Sequence, residues 1–321
     1  MNILFLVFNR PDTAAKVFER IRKARPQRLF VAADGPRASK EGEAELCAQT
    51  RAIIDGVDWD CEVHKLFREE NLGCRRAVSG AITWFFEHVE EGIILEDDCE
   101  PDKTFFPFCQ EMLAHYRDDD RVFCVGGNNP IERPEDESYY FSTYPFIWGW
   151  ATWKRAWTYY DSRDEIEIEL DHQWLSAHFG SEEIASYWEM LFDWSISGKV
   201  DSWGFRWLLT QLKNGGLCAV SSRNLVTNIG FDERATHTMV DVNDEGNRAL
   251  VPAEFPLKHP PSVRRNYQAD DELADVKFAI PRSDQRMKKA GVRLDQVREK
   301  AKERLRKIPP RRLTGKIAKI I

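Results

Sequence analysis

The stretch GIILEDDCEP, residues 92–101, decides how the rest of the sequence is interpreted. A short apolar run ends in Glu96, Asp97 and Asp98, and these ten residues contain no Lys or Arg. A continuous apolar run of this kind is typical of a buried parallel strand. Buried carboxylates are costly unless a positive charge meets them. The stretch therefore predicts either a metal ion at a strand end or three acids at the surface.

Other apolar runs have the same form and alternate with helical patterns. The further predicted strands are ILFLVF (3–8), RLFVAADG (28–35), CEVHKLF (61–67), RVFCVGG (121–127) and one opening AVSSRNLVTNIGFDERATHT (219–238). Apolar residues recur at helical spacing after Pro11, and residues 70–89 have the pattern of a loop entering a helix. Strands alternating with helices predict an α/β fold with a Rossmann-like, mostly parallel sheet flanked by helices.

Polar side chains follow three of these strands. Arg10 comes after the first, Asp34 after the second, and the Glu96-Asp97-Asp98 run after the fourth. In open parallel sheets, ligands bind beyond the carboxyl ends of the strands. We therefore expect these side chains to share one site.

The middle of the chain is rich in aromatic residues, above all YYFSTYPFIWGWATWKRAWTYY at 139–160. Flat rings stack on the apolar faces of sugars, so the segment predicts a carbohydrate or acceptor platform that includes Trp148, Trp150 and Trp203. The alternative is the aromatic core of a smaller subdomain. The sequence leaves both interpretations open.

Charge is distributed unevenly along the chain, whose net charge is −7. Residues 281–321 carry 15 basic and 4 acidic side chains, whereas residues 1–280 carry 31 and 49, a net charge of −18. Because residues 1–280 are so acidic, we do not expect them to bind nucleic acid. The basic tail predicts a helix that either contacts an anionic membrane surface or is solvated.

The bulk composition predicts a cytoplasmic protein. The seven cysteines lack CxxC spacing, which favours reduced thiols over a disulfide framework. We expect neither a signal peptide nor a membrane-spanning helix, since no apolar window is long enough.

The run ILEDDCEPDKTFFPFCQEMLAHYRDDDRVFCVGGNN (94–129), followed by FIWGWATWKRAW (146–157), resembles a known family. It is similar to GT-A-fold glycosyltransferases related to the N-acetylglucosaminyltransferase I that initiates hybrid and complex N-glycans, and closer still to bacterial relatives. The resemblance extends in order from residue 3 to residue 238. It implies a GT-A (nucleotide-diphospho-sugar transferase) fold.

The resemblance also implies roles for particular residues. The nucleotide-sugar site would consist of Arg10, Asp34, Asn71, Gly73, Arg75, Glu96 and Asp97. Asp34 would accept hydrogen bonds from the base or ribose, and the helix that begins near Arg75 would favour a diphosphate. Asp98, with His237 as a further contact, would hold Mn²⁺ or Mg²⁺, which prefer oxygen ligands.

The catalytic base is less clearly marked. Family members place an acid in a Trp-Asp-x-x-Trp-like segment, but here the segment is KVDSWGFRW, with Gly204 at the expected position. We assign the base to Asp201, since an inverting enzyme needs a carboxylate that accepts the acceptor's proton. The rival residues are Asp193, Asp232 and Glu233.

These assignments predict a metal-dependent, inverting hexosyltransferase that uses a UDP-sugar and a glycan or lipid-linked acceptor in bacterial surface polysaccharide synthesis. Residues 1–129 would bind the nucleotide sugar, and 130–245 would hold the acceptor and the base. Residues 246–280 would be a linker and 281–321 a helical tail, held peripherally at the inner face of the membrane.

Two other functions remain open at the level of sequence. One is a sugar nucleotidyltransferase, although FNRPDTAA after the first strand lacks the expected Gly-rich loop. The other is a non-catalytic carbohydrate-binding relative, which the glycine at position 204 would explain.

Overall fold

The computed structural model describes residues 1–131, 136–163, 170–230, 248–276, 278 and 280. The strands are β1 (Asn2–Val7), β2 (Arg28–Ala33), β3 (Glu62–Phe67), β4 (Glu91–Glu96), β5 (Cys99–Pro101), β6 (Val122–Gly126), β7 (Tyr139–Ser142), β8 (Trp150–Trp153), β9 (Leu217–Ser221) and β10 (Val226–Asn228). The helices are α1 (Pro11–Ala24), α2 (Glu43–Ala52), α3 (Cys74–His88), α4 (Phe105–His115), α5 (Lys154–Trp157), α6 (His172–Phe179), α7 (Glu182–Ile196), α8 (Gly204–Lys213) and α9 (Tyr267–Val276).

Eight strands form one sheet in the order β3-β2-β1-β4-β8-β6-β9-β7. β1 to β4 run parallel, as do β6 and β9, whereas β8 pairs antiparallel with both β4 and β6. β7 is antiparallel on the edge, and β5 and β10 form a separate two-stranded sheet. The predicted α/β fold with a mostly parallel sheet flanked by helices is confirmed.

Apolar residues of β1 alternate between two hydrophobic cores, one on each face of the sheet. Leu4 and Leu6 pack into the core that includes residues of α3, α7 and α8. Ile3, Phe5 and Val7 pack into the other, which includes residues of α1 and α4. Successive strand residues point to opposite faces, so a strand covered on both sides is apolar throughout. This explains the uninterrupted apolar run from which the strand was predicted.

The aromatic segment 139–160 contributes two strands, β7 and β8, that the sequence did not predict. β8 inserts between β4 and β6 and runs against both. The strand predicted near residue 219 is β9, and the polar loop after it contains the short β10. All seven cysteines are free thiols.

Residues 258–266 run beside the edge strand β7 and lead into α9. The main-chain N–H of Ser138 donates to the carbonyl of Lys258 at 2.9 Å, and that of Asn266 donates to the carbonyl of Phe141 at 2.7 Å. On α9, Ala269 and Leu273 are fully buried. Residues 258–276, which belong to the predicted linker 246–280, therefore pack on the domain, because Ala269, Leu273 and Ala274 of α9 complete a core.

A buried ion pair fixes α9. Asp270 is 2% exposed and accepts hydrogen bonds from Ser142 Oγ and Arg265 Nε, both at 2.5 Å, and from the Thr143 N–H at 3.1 Å. Burial raises the pKa of Asp270, and the Arg265 guanidinium opposes that rise. Arg265 also donates to the carbonyl of His178 at 2.7 Å, so the pair joins α9 to β7 and α6.

No described helix combines the length and apolarity needed to cross a membrane. The predicted basic tail, 281–321, lies outside the described residues.

The Asp270→Ala substitution should lower the free energy of unfolding by about 3–5 kcal/mol, because it leaves Arg265 as an uncompensated buried charge. Denaturant unfolding followed by circular dichroism measures the change. Gln268→Ala, at an exposed position of α9, is the control and should change stability by less than about 0.5 kcal/mol. Equal losses in the two variants would contradict the assigned role of the buried pair.

Candidate functional site

A cleft of about 330 Å³ opens at the carboxyl ends of β1, β2 and β4. The predicted site residues that line it are Arg10, Asp34, Asn71, Gly73, Glu96, Asp97, Asp98 and Asp201. The ends of adjacent parallel strands lie at one edge of the sheet, which brings these distant positions together. The expectation of one shared cleft is met for this set.

Asp98 forms an ion pair with an arginine side chain of the protein itself. Arg10 Nη1 lies 3.5 Å from Asp98 Oδ2, and both side chains are about nine-tenths buried. Arg10 Nη2 also donates to the carbonyl of Gly230 at 2.9 Å, and Asn228 Nδ2 donates to Asp98 Oδ1 at 3.4 Å. The most buried of the three adjacent acids therefore has an internal counter-charge.

Glu96 and Asp97 are half-buried and line the cleft. Asp97 Oδ2 accepts a hydrogen bond from the N–H of Phe8 at 3.0 Å, which joins the ends of β4 and β1. With Asp98 they supply the oxygen donors that Mg²⁺ and Mn²⁺ prefer. Within the part of the chain that the structure describes, however, no three acidic, His or Cys side chains gather as a metal-binding set. The donors fit a cation that takes further ligands from a substrate.

Asp34 holds the loop that precedes α3. Its carboxylate accepts from the N–H of Leu72 at 3.0 Å, the N–H of Gly73 at 3.1 Å and Asn71 Nδ2 at 3.0 Å. Burial raises the pKa of Asp34, and hydrogen bonds from the N–H groups of Leu72, Gly35 and Gly73 oppose the rise. The carboxylate predicted to contact a nucleoside is thus turned toward its own protein.

Asp201 lies against the start of α3. Its Oδ1 accepts from the N–H of Arg75 at 3.2 Å and lies 3.9 Å from Arg75 Nε. The Asp201 side chain is 43% exposed, whereas that of Arg75 is 11% exposed. Arg75 was predicted to hold a diphosphate, but in this structure it contacts the carboxylate that we assign as the base.

The rival bases are placed differently. Asp193 is exposed on α7 and does not line the cleft. Asp232, Glu233 and the predicted metal contact His237 lie outside the described residues.

The cleft is also lined by two arginines, Arg37 and Arg68, that the sequence analysis did not identify. Arg37 pairs with Glu43 and lies over the ring of Phe8, with its guanidinium carbon 5.4 Å from the ring centroid. Arg68 is half-buried, and burial lowers its pKa against the attraction of Asp34. Arg68 directly follows β3, so the rule that selected Arg10 and Asp34 at strand ends could have found it.

The predicted aromatic platform is wrong for the three tryptophans assigned to it. Trp148, Trp150 and Trp203 are 7%, 1% and 3% exposed. The rings of Trp150 and Trp203 stack on each other, with centroids 5.6 Å apart. These rings are covered because they fill the two cores beside the sheet, which was the alternative interpretation of this segment.

No family model matches the chain, and neither does any curated protein. Among similar solved structures, HddC from Yersinia pseudotuberculosis is 12% identical over 44% of this chain and 58% of its own, with a TM-score of 0.27. S. aureus TarS 1–349 is 11% identical over 69% of this chain and 58% of its own, at 0.39. The galactosyltransferase LgtC, in complex with donor and acceptor sugar analogs, is 13% identical. The similarity covers 90% of this chain and 99% of LgtC, with a TM-score of 0.38.

This chain thus spans less than two thirds of the length of HddC and of TarS 1–349. At these TM-scores the similarities establish no correspondence of residues or activity. The relation to N-acetylglucosaminyltransferase I stays a prediction.

Gly73 is required at its position for two reasons. Its backbone, at φ 81° and ψ 165°, is in a region that only glycine adopts readily, and an added Cβ would lie 2.7 Å from Asp201 Oδ2. We expect Gly73→Ala to cost more than about 2 kcal/mol of unfolding free energy, measured by denaturant titration.

Gly42→Ala is the control, since Gly42 also has a positive φ of 76° but has open space around its Cβ position. It should cost about 1 kcal/mol. Adding Asp201→Ala to Gly73→Ala should restore part of the loss. A double variant no more stable than the single one would show that the contact with Asp201 is unimportant.

Proposed function

We propose that this protein is a GT-A-type, metal-dependent, inverting glycosyltransferase. The observation that supports the proposal is the cleft at the strand ends, where the carboxylates after β4, the start of α3 and Asp201 face one space. Such a site can hold a nucleoside diphosphate beside a carboxylate that is able to accept a proton.

The charge of the cleft favours a donor that arrives with a metal. Its charged lining residues are five acids and three arginines, namely Asp34, Glu96, Asp97, Asp98, Asp201, Arg10, Arg37 and Arg68. A diphosphate alone would meet an excess of negative charge. A divalent cation bound with the diphosphate would offset this excess of negative charge, which supports the proposed dependence on Mn²⁺ or Mg²⁺.

Asp98 and its neighbours Glu96 and Asp97 are the residues that would hold the cation. When bound, the cation would neutralise negative charge on the departing nucleoside diphosphate. Arg10 contacts Asp98 and fixes its orientation. His237 remains a proposed further contact.

Asp201 would act as the general base. In the proposed reaction, an acceptor hydroxyl oxygen forms a bond to the anomeric carbon of the donor sugar, and the bond from that carbon to the diphosphate oxygen breaks. The hydroxyl proton passes to the Asp201 carboxylate, and the nucleoside diphosphate leaves with the bonding electrons. A single displacement of this kind inverts the configuration, and the partial exposure of Asp201 allows an acceptor to reach it.

The donor and pathway belong to the same proposal. The donor would be a UDP-sugar and the acceptor a glycan or lipid-linked sugar, as in the synthesis of a bacterial surface polysaccharide. The basic residues of 281–321 would bring the protein to an anionic membrane surface at the inner face.

Thermal unfolding with nucleotides tests the proposal. UDP or a UDP-sugar at about 100 times its Kd should stabilise the protein by about 2.7 kcal/mol, and the shift should require Mn²⁺. Asp98→Asn should abolish the metal-dependent part of the shift. Asp193→Asn, which removes an exposed carboxylate outside the cleft, should leave it intact.

The released product separates the proposal from its alternative. A transferase releases nucleoside diphosphate when an acceptor is supplied, whereas a sugar nucleotidyltransferase forms pyrophosphate from a nucleoside triphosphate and a sugar phosphate. Stabilisation without release of either product would favour a binding protein. The absence of any nucleotide-induced shift would reject the donor cleft.

A further inference from the structure

One carboxylate oxygen of Asp201 lies on the first turn of α3. Oδ1 accepts the N–H of Arg75 at 3.2 Å, and the Arg75 guanidinium approaches the same oxygen at 3.9 Å. The other oxygen, Oδ2, lies over Gly73, where even a Cβ would be only 2.7 Å away. Asp201 is therefore bonded to the helix start through Oδ1, and its Oδ2 occupies the space that a side chain at position 73 would need.

The loop is held in place independently of Asp201. Asp34 binds it through Asn71, Leu72 and Gly73, with distances of 3.0–3.1 Å. The start of α3 is thus a fixed surface. Asp201 lies in the connection between α7 and α8, where its neighbours Val200 and Ser202 are buried but its own side chain is 43% exposed and has room to turn. If one partner in this contact moves, we expect it to be Asp201.

The groups that bind Asp201 also suit the phosphates of a donor. A helix N-terminus and a guanidinium both attract anions, and phosphate oxygens use the same N–H donors as a carboxylate. A diphosphate in the cleft would lie near Gly73, which lines it beside Asp201. The carboxylate and the diphosphate cannot both occupy the position beside the Arg75 N–H, because two negative charges a short distance apart repel each other.

We propose that the Asp201 carboxylate and the donor's diphosphate compete for the N–H and guanidinium of Arg75, and that donor binding displaces Asp201 toward the acceptor. This inference rests on the proposed function, and it adds that donor binding controls the position of the catalytic base. Without donor, the base is held against α3. With donor bound, it is released to accept a proton.

Titration calorimetry with UDP in the presence of Mn²⁺ tests the competition, with GDP and ADP as parallel probes. Asp201→Asn keeps the size of the side chain and removes the competing charge, so its Kd for the bound nucleotide should fall about three- to tenfold. Its transfer rate should fall as well, since the base is lost. Asp193→Asn removes the same charge from outside the cleft and should leave the Kd unchanged.

Carboxyl labelling with a carbodiimide, read by mass spectrometry, separates displacement from a simple loss of charge. In the unaltered protein, saturation with UDP and Mn²⁺ should increase labelling at Asp201 and leave Asp193 unchanged. A Kd that is equal or higher in Asp201→Asn overturns the competition, as does unchanged labelling at Asp201. Failure of every nucleotide to bind either protein overturns the proposed function, and this inference with it.

Discussion

The Arg10 guanidinium lies between the Asp98 carboxylate and the carbonyl of Gly230, and it joins three parts of the chain that are far apart in sequence. Arg10 follows β1, Asp98 follows β4, and Gly230 follows β10. The ion pair is about nine-tenths buried, so loss of either partner would strand a charge away from water. An added Cβ at Gly230 would lie only 2.5 Å from Arg10 Nη1, so the chain packs closely around this contact.

This pair and the Asp34 contacts together control the chemistry of the cleft. The aligned ends of three parallel strands concentrate acids, and the two most buried of them are held by the protein's own donors: Arg10 for Asp98 and main-chain N–H groups for Asp34. Glu96, Asp97 and Asp201 are the more exposed acids. The internal donors thus fix the framework. Asp97 and Asp201 also accept hydrogen bonds from main-chain N–H groups, those of Phe8 and Arg75, but they stay partly exposed where they line the cleft.

The sequence predicted β1 to β4, α1 and α3 well, because strands buried on both faces leave continuous apolar runs and Pro11 marks a helix start. The gathering of Arg10, Asp34 and the acids after β4 followed from the rule on strand ends. The insertion of β8 could not be predicted in this way, since its four residues, Trp150–Trp153, lie within an aromatic segment that has no strand-specific pattern.

The contacts that individual side chains make could also not be predicted from the sequence. Asp34 reaches a loop 37 to 39 residues away, and Asp201 reaches Arg75 across 126 residues. Local patterns contain no information on such pairs. The tryptophans show the same limit, because a ring that fills a core and a ring that stacks on a sugar have identical letters in the sequence.

The segment that runs beside β7 has a consequence for association between molecules. An uncovered edge strand presents free N–H and C=O groups that can recruit a strand from another chain and begin aggregation. On the β7 side, the main chain near Lys258 and Asn266 already takes up hydrogen bonds of this edge. On the opposite side, β3 carries Glu62 and Lys65, and charged side chains discourage strand addition. One border of the sheet is thus blocked by the protein's own backbone, and the other is protected by charge.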